Sequence, residues 1–134
     1  MSEMPKINYS NMTAMIIDDQ EFVREIISKM LYQFGFEKVL TAADGGAGFD
    51  ALESNKPDVI ICDIAMKPVG GLEFVQKLRE HPMAAYAYIP VIIMTGDMNA
   101  DVMIKAKKLG ISAAVIKPVP PKKLREKIDS LFNA

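Results

Sequence analysis

Five short runs along the chain are almost wholly apolar, and most of the stretches between them carry apolar residues at helical spacing. "TAMII" (13–17) is the first run, short and β-prone. "EFVREIISKMLYQFG" (21–35) follows, with Phe22, Ile26, Met30 and Phe34 spaced four apart as a predicted helical stripe and Gly35 as its stop. "EKVLTA" (37–42) predicts a second strand, and "DGGAGFDALESN" (44–55) a helix weakened by three glycines. Pro57 opens a third run that ends at Asp63, after which "GLEFVQKLREH" (71–81) is amphipathic through Leu72, Val75 and Leu78. "HPMAAYAYIP" (81–90) reads as a long connection. "PVIIMTG" (90–96) is the fourth run, and "ADVMIKAKKLG" (100–110) a helix closed by Gly110. "SAAVIK" (112–117) is the fifth strand, broken by Pro118, and "KKLREKIDSLF" (122–132) a last helix with Leu124, Ile128 and Leu131 on one side.

The order is strand then helix, five times over. Continuous rather than alternating apolar strands imply burial on both faces, hence an α/β fold with a parallel sheet and helices on each side. Right-handed crossovers leave few topologies for such a chain. With 134 residues and no linker or low-complexity tract, one domain over 12–134 is expected, preceded by a flexible lead-in over 1–11.

Composition narrows the chemistry only a little. A formal net charge of −1 gives no basic footprint, so direct nucleic-acid binding is not expected. One cysteine forms no internal disulfide and suits a reducing cytoplasm. No apolar run approaches the roughly 20 residues that span a bilayer, and "MSEMPKINYS" has no apolar signal core. The expected setting is cytoplasmic, without membrane insertion.

The polar residues at the ends of the runs are more informative. Strand one ends in Asp18 and Asp19, strand three in Asp63, strand four in Thr95 and strand five in Lys117. All lie at carboxyl ends of parallel strands, where open α/β sheets place their sites. Asp63 closes an apolar strand, and desolvating a lone carboxylate costs several kcal/mol or more unless something compensates it. Three carboxylates together repel and resist ionisation unless a cation neutralises them. A hard oxygen cluster without His or Cys suits Mg²⁺, held by Asp18, Asp19 and Asp63 with positions left for a phosphoryl oxygen. Lys117 and the Thr95 hydroxyl suit a phosphoryl dianion, so Asp63 reads as a nucleophile that forms an acyl phosphate.

The acidic pair in "IIDD", the strand "DVIICD", "PVIIMTG" with its hydroxyl and "VIKP" with its lysine, at their spacing over residues 12–132, resemble a response-regulator receiver domain of bacterial two-component signalling, of the stand-alone CheY-like kind. That resemblance implies a flavodoxin-like (βα)5 fold with strand order 2-1-3-4-5. It implies Mg²⁺-dependent phosphorylation of Asp63 from a histidine kinase or histidine phosphotransfer protein, with slow autodephosphorylation and no dedicated enzymatic activity. A downstream target protein, or a phosphorelay, completes the expected partners. Thr95 then moves toward the phosphoryl group and alters the face made by the helix after strand four, strand five and the last helix.

Rival readings are weighed on single positions. An aspartate-nucleophile phosphatase wants a second acid two residues after the nucleophile, where Ala65 stands. A flavodoxin-like cofactor binder wants a phosphate-cradling loop after strand one, where "DDQEF" repels phosphate. A pseudo-receiver acting only as a protein-interaction module would lack one of the five site residues, and none is missing. "DD" alone would be helix capping. Three departures from the family pattern stand out. The loop after Asp63 is "AMKPVGG", with Lys67 before Pro68. Ala65 is small, and its backbone carbonyl is expected to reach the metal. Ala114 stands where receivers often carry Tyr or Phe. Cys62 and most methionines are expected in the core, and His81 exposed and no ligand, with Tyr86 and Tyr88 as surface aromatics.

Overall fold

The long apolar runs pair side by side into one parallel sheet. A computed structural model of the chain describes residues 7–66 and 70–133. Its elements run β1 (Thr13–Ile17), α1 (Glu21–Phe34), β2 (Lys38–Ala42), α2 (Gly45–Leu52), β3 (Val59–Asp63), α3 (Gly71–Arg79), α4 (Ala84–Ala87), β4 (Val91–Thr95), α5 (Ala100–Lys108), β5 (Ala113–Ile116) and α6 (Pro121–Phe132). Strand order is β2-β1-β3-β4-β5 with every pair parallel, the flavodoxin-like arrangement expected. The short α4 falls in the stretch read as a connection. Only four residues long, it carries too little periodicity to announce itself.

Alternate strand residues feed two cores. Ile16, Ile61, Met94 and Val115 face α1 and α6, whereas Met15, Ile17, Ile60, Cys62 and Ile93 face α2, α3 and α5. Every residue of β3 and β4 is buried, which is why those runs lack polar alternation. Cys62 and Met15, Met30, Met66 and Met94 are core as expected, while Met83 and Met98 are exposed.

Two expectations change. The helical stripe of α1 is corrected: Val23, Ile27, Met30, Leu31 and Phe34 pack inward, and Phe22 is 72 % and Ile26 37 % exposed. A strict spacing of four drifts by about 40° per step around a helix of 3.6 residues per turn, so it leaves the buried face within three steps. Alternating steps of three and four stay on it. The lead-in is also more ordered than expected where it is described. Tyr9 is 1 % exposed, stacked on Phe36 with ring centroids 4.5 Å apart, and its hydroxyl donates to Asp129 Oδ1 at 2.5 Å. Arg125 pairs with Asp129 and lies over the Tyr9 and Phe34 rings, so residues around Tyr9 are part of the core beside α6.

Arg79, the last residue of α3, bonds four backbone carbonyls. Its guanidinium donates to Leu109 and Gly110 after α5, and to Ala87 and Ile89 around the end of α4, at 2.8–3.0 Å. One cation thus serves the orphan carbonyls at two helix ends. Desolvation lowers the pKa of its guanidinium. Among the described residues no helix is long and apolar enough to cross a membrane.

Candidate functional site

Strand register brings the polar strand ends to one level. Ile17 pairs with Cys62, Asp63 with Met94, and Thr95 with Ile116, so Asp18, Asp63, Thr95 and Lys117 all emerge at the same edge of the sheet. Among the described residues the buried polar or charged side chains are Asp18, Asp63 and Thr95, at 0, 4 and 3 % exposure. The sheet therefore buries polar groups only here.

Lys117 joins the carboxylates. Its Nζ lies 3.0 Å from Asp18 Oδ2 and 3.3 Å from Asp63 Oδ2, and 3.4 Å from Gln20 Oε1. The ammonium's three donors thus meet three acceptors. The bond from Lys117 to Pro118 is cis, at an X-Pro position where that isomer costs little. The Lys117 N–H donates to the Thr95 carbonyl at 2.8 Å, extending the ladder past β5. Burial pulls the Lys117 ammonium down. The hydrogen bond and charge of Asp18 and the charge and hydrogen bond of Asp63 outweigh it, and the net direction is upward.

Burial pushes the Asp63 carboxyl above its ordinary range, with the Asp18 charge adding to it. The Ala65 N–H, donating to Asp63 Oδ1 at 3.3 Å, and Lys117 oppose that rise only in part. Asp18 is tied on its other side: Oδ1 accepts the Gln20 N–H at 2.8 Å, and its carbonyl accepts from Arg24 at 2.7 Å. Asp19 is exposed, and one oxygen from each of Asp18, Asp19 and Asp63 lies within 4.8 Å of the others. Carboxylate oxygens at that separation, with no His or Cys in the set, fit a small hard dication such as Mg²⁺.

Thr95 sits beside this cluster but is otherwise engaged. Its hydroxyl donates to the Asp97 carbonyl at 2.7 Å and accepts the Asp97 N–H at 3.1 Å. Ala65 is exposed at the lip of the site, while Lys67, Pro68 and Val69 lie outside the described residues. Gly71 starts α3 hard against β3: a Cβ there would stand 2.4 Å from the Asp63 carbonyl oxygen and 2.8 Å from Ile64 Cα. Any larger residue would push α3 off the backbone of Asp63. Ala114 pairs with Ile93, half-buried. His81 is half-buried rather than exposed, its Nδ1 accepting the Met83 N–H and its ring 4.7 Å from Tyr86.

Gln20, Arg24 and Gly71 were not singled out from the sequence. Gln20 and Arg24 follow the acidic pair closely enough to have been suspected as its neighbours. For Gly71 the only signal was a Gly-Gly pair at the mouth of a helix.

The family model described as the response regulator receiver domain matches residues 14–129. Among curated proteins the chain is similar to the chemotaxis protein CheY1 of Helicobacter pylori, at 32 % identity over 123 residues covering 91 % of this chain and 98 % of that protein. It is also similar to the chemotaxis protein CheY of Pseudomonas aeruginosa, at 29 % over 122 residues covering 91 % and 97 %. Among solved structures, the chemotaxis response regulator CheY4 of Vibrio cholerae superposes with a TM-score of 0.81 at 27 % identity, covering 90 % of this chain and 98 % of that one.

Proposed function

Since the chain belongs to the response regulator receiver domain family, we propose that Asp63 accepts a phosphoryl group from a histidine kinase or histidine phosphotransfer protein, and that the phosphorylated chain signals by binding a partner or passing the group on. The observation that carries this reading is that the buried polar side chains, Asp18, Asp63 and Thr95, converge with Lys117 on one end of the sheet.

In the transfer, an Asp63 carboxylate oxygen forms a bond to phosphorus while the bond from phosphorus to the donor histidine nitrogen breaks, and that nitrogen keeps the electron pair. The negative charge on Asp63 is spread onto the new phosphoryl oxygens. Lys117, already within 3.3 Å of Asp63, follows that charge and gives up part of its bond to Asp18. Burial assists the reaction by leaving the carboxylate poorly solvated in the ground state. Asp18, Asp19, Asp63 and the Ala65 carbonyl would hold Mg²⁺, which when bound neutralises the carboxylates and polarises the phosphoryl oxygens. Thr95 is the hydroxyl available to the phosphoryl group once it leaves Asp97.

The test is incubation with acetyl phosphate and Mg²⁺ followed by intact mass. One phosphoryl group is expected, labile to hydroxylamine as an acyl phosphate is, and absent in Asp63→Asn. Modification that survives this substitution, or that maps to Ser or Thr, would overturn the assignment, and no modification at all would favour a module that only binds partners.

A further inference from the structure

A groove of about 560 Å³ opens at the amino ends of β4 and β5, the opposite end of the sheet from Asp63. Pro90, just before β4, and Ser112, just before β5, both line it. Tyr88, 81 % exposed, and Leu131 supply apolar surface, and the charged residues are Arg79 and Lys108. Among the described residues no carboxylate lines it. Clefts of roughly 300–1,000 Å³ with apolar walls and a few polar groups are the usual form of a small-molecule site.

Arg79 gives the groove its chemistry. A guanidinium has five N–H donors, one on Nε and two on each terminal nitrogen. Nε bonds the Leu109 carbonyl, both Nη1 donors bond Ala87 and Ile89, and one Nη2 donor bonds Gly110. One Nη2 donor is left, on the nitrogen whose other bond is exposed. The cation also has no counter-charge: among the described residues the ion pairs are those of Lys117 and Arg125. Burial alone acts on its pKa, and no carboxylate opposes it. A half-buried cation left without an anion carries a desolvation cost that an incoming anion relieves. Gly110 keeps the approach open: its φ is +72°, and a Cβ there would lie 3.6 Å from Arg79 Nε.

We propose that this groove binds a small aromatic carboxylate, with its two oxygens on the remaining Arg79 N–H and the Lys108 ammonium and its ring against Tyr88 and Leu131. Two donors from two cations match the two oxygens of a carboxylate. The exposed Tyr88 ring offers a face or an edge for a second ring to pack on. The site is independent of the phosphotransfer reading. Its consequence is mechanical: Tyr88 caps the end of α4 and Lys108 is the last residue of α5, the two ends that Arg79 already joins from within. A ligand held by all three residues adds a second tie between those ends, and by binding the folded chain it stabilises that form.

The experiment titrates the full chain with 1-naphthoate, with the neutral 1-naphthalenemethanol and with acetate, followed by amide chemical shifts. Naphthoate should shift Ala87, Tyr88, Leu109, Gly110 and Ser112, and should bind about tenfold tighter than the alcohol through its charged hydrogen bonds. Acetate, an anion without a ring, should bind more weakly than naphthoate. Tyr88→Ala and Lys108→Glu change exposed side chains, so both variants should melt as the natural chain does. Each should weaken naphthoate by about threefold or more, and Lys108→Glu should leave the alcohol unaffected. Bound naphthoate should also slow amide exchange over 109–112. Equal binding of naphthoate and the alcohol would overturn the proposal without any variant having to fold, since Arg79 would then serve its backbone carbonyls alone. Shifts centred away from these residues, or naphthoate affinity untouched by both substitutions, would overturn it as well. Tight naphthoate binding with unchanged exchange over 109–112 would overturn the second tie.

Discussion

The pocket around Asp63 and the helix α5 lie at neighbouring strand ends, yet they are held in opposite ways. Asp63 ends a strand buried throughout, is flanked by Ile17 and Met94 levels of the core, and is fixed by Lys117, the Ala65 N–H and the close approach of Gly71. α5 has one buried residue, Ala106. Its start hangs on the Asn99 cap and the Thr95–Asp97 bonds, and its end on Arg79. A firmly held site beside a lightly packed helix fastened at two polar points suits the signalling proposed above: the charge change would fall where the backbone is held, and the response where little resists.

The largest effect follows from the fastening at the end of α5. Arg79→Ala leaves four carbonyls to find water or strain, and hydrogen bonds to charged groups are worth about 1.5–3 kcal/mol each. Because three of these bonds are only part-buried and the fourth is exposed, the expected loss is about 3 kcal/mol rather than the full sum, read by denaturant unfolding. Amide exchange should rise first around residues 105–111. A loss below about 1 kcal/mol would show that α5 is held by packing and would remove the contrast.

Next comes the metal. Clustered carboxylates repel in the metal-free fold, so a cation that binds only the folded form stabilises it by linkage, by about 2.7 kcal/mol at a hundredfold excess over Kd, and so raises Tm. Asp19 is the exposed member and Asp18 is already engaged by Lys117 and Gln20, so Asp19→Ala should shrink the Mg²⁺-dependent rise more than Asp18→Ala. A wild-type Tm indifferent to Mg²⁺ would mean that Lys117 alone neutralises the cluster.

A smaller effect concerns the charge on Asp63 itself. Its folded value lies above the ordinary 3.8 because of burial and then the Asp18 charge. The folded state thus holds the proton more tightly than the unfolded chain. The resulting stability is fully present below pH 3.8 and is lost as pH rises through the raised folded value. Without metal at neutral pH, Asp63→Asn should therefore raise Tm by a few degrees, and the gain should fade as pH approaches 4. A variant that melts lower than wild type at neutral pH would show that the bond to Lys117 outweighs burial.

The same contrast explains what the chain disclosed before its structure was known. β3 and β4 announced themselves because strands buried on both faces have no polar alternation, and Asp18, Asp63 and Lys117 stood out because charges that end such runs need a reason. Local patterns of this kind survive in one dimension. The face of α1 did not, since a four-residue spacing looks like a stripe on paper while spiralling on the helix. Arg79, Gln20 and Tyr9 were invisible for a different reason. Their partners are backbone carbonyls, a lysine 97 residues away and an aspartate 120 residues away, and nothing in the local sequence marks those meetings. The Thr95 position was legible, but the direction of its hydroxyl was set by the turn that follows.

That hydroxyl supports the smallest and most specific prediction. Thr95→Val keeps the branched shape in the core and deletes the two bonds to Asp97. A hydrogen bond in a partly solvated turn is worth about 1 kcal/mol or less net, so global stability should barely change while amide exchange at 96–99 rises. A phosphoryl mimic at Asp63 should alter exchange over 96–105 more than over 113–117 in the natural chain, because α5 is tied through the loop and Ala114 offers β5 no ring to rotate. In Thr95→Val the loop is already released, so the mimic should add little there. If the mimic instead changes 113–117 and leaves 96–105 silent, β5 carries the response, and the two-point fastening of α5 serves stability alone.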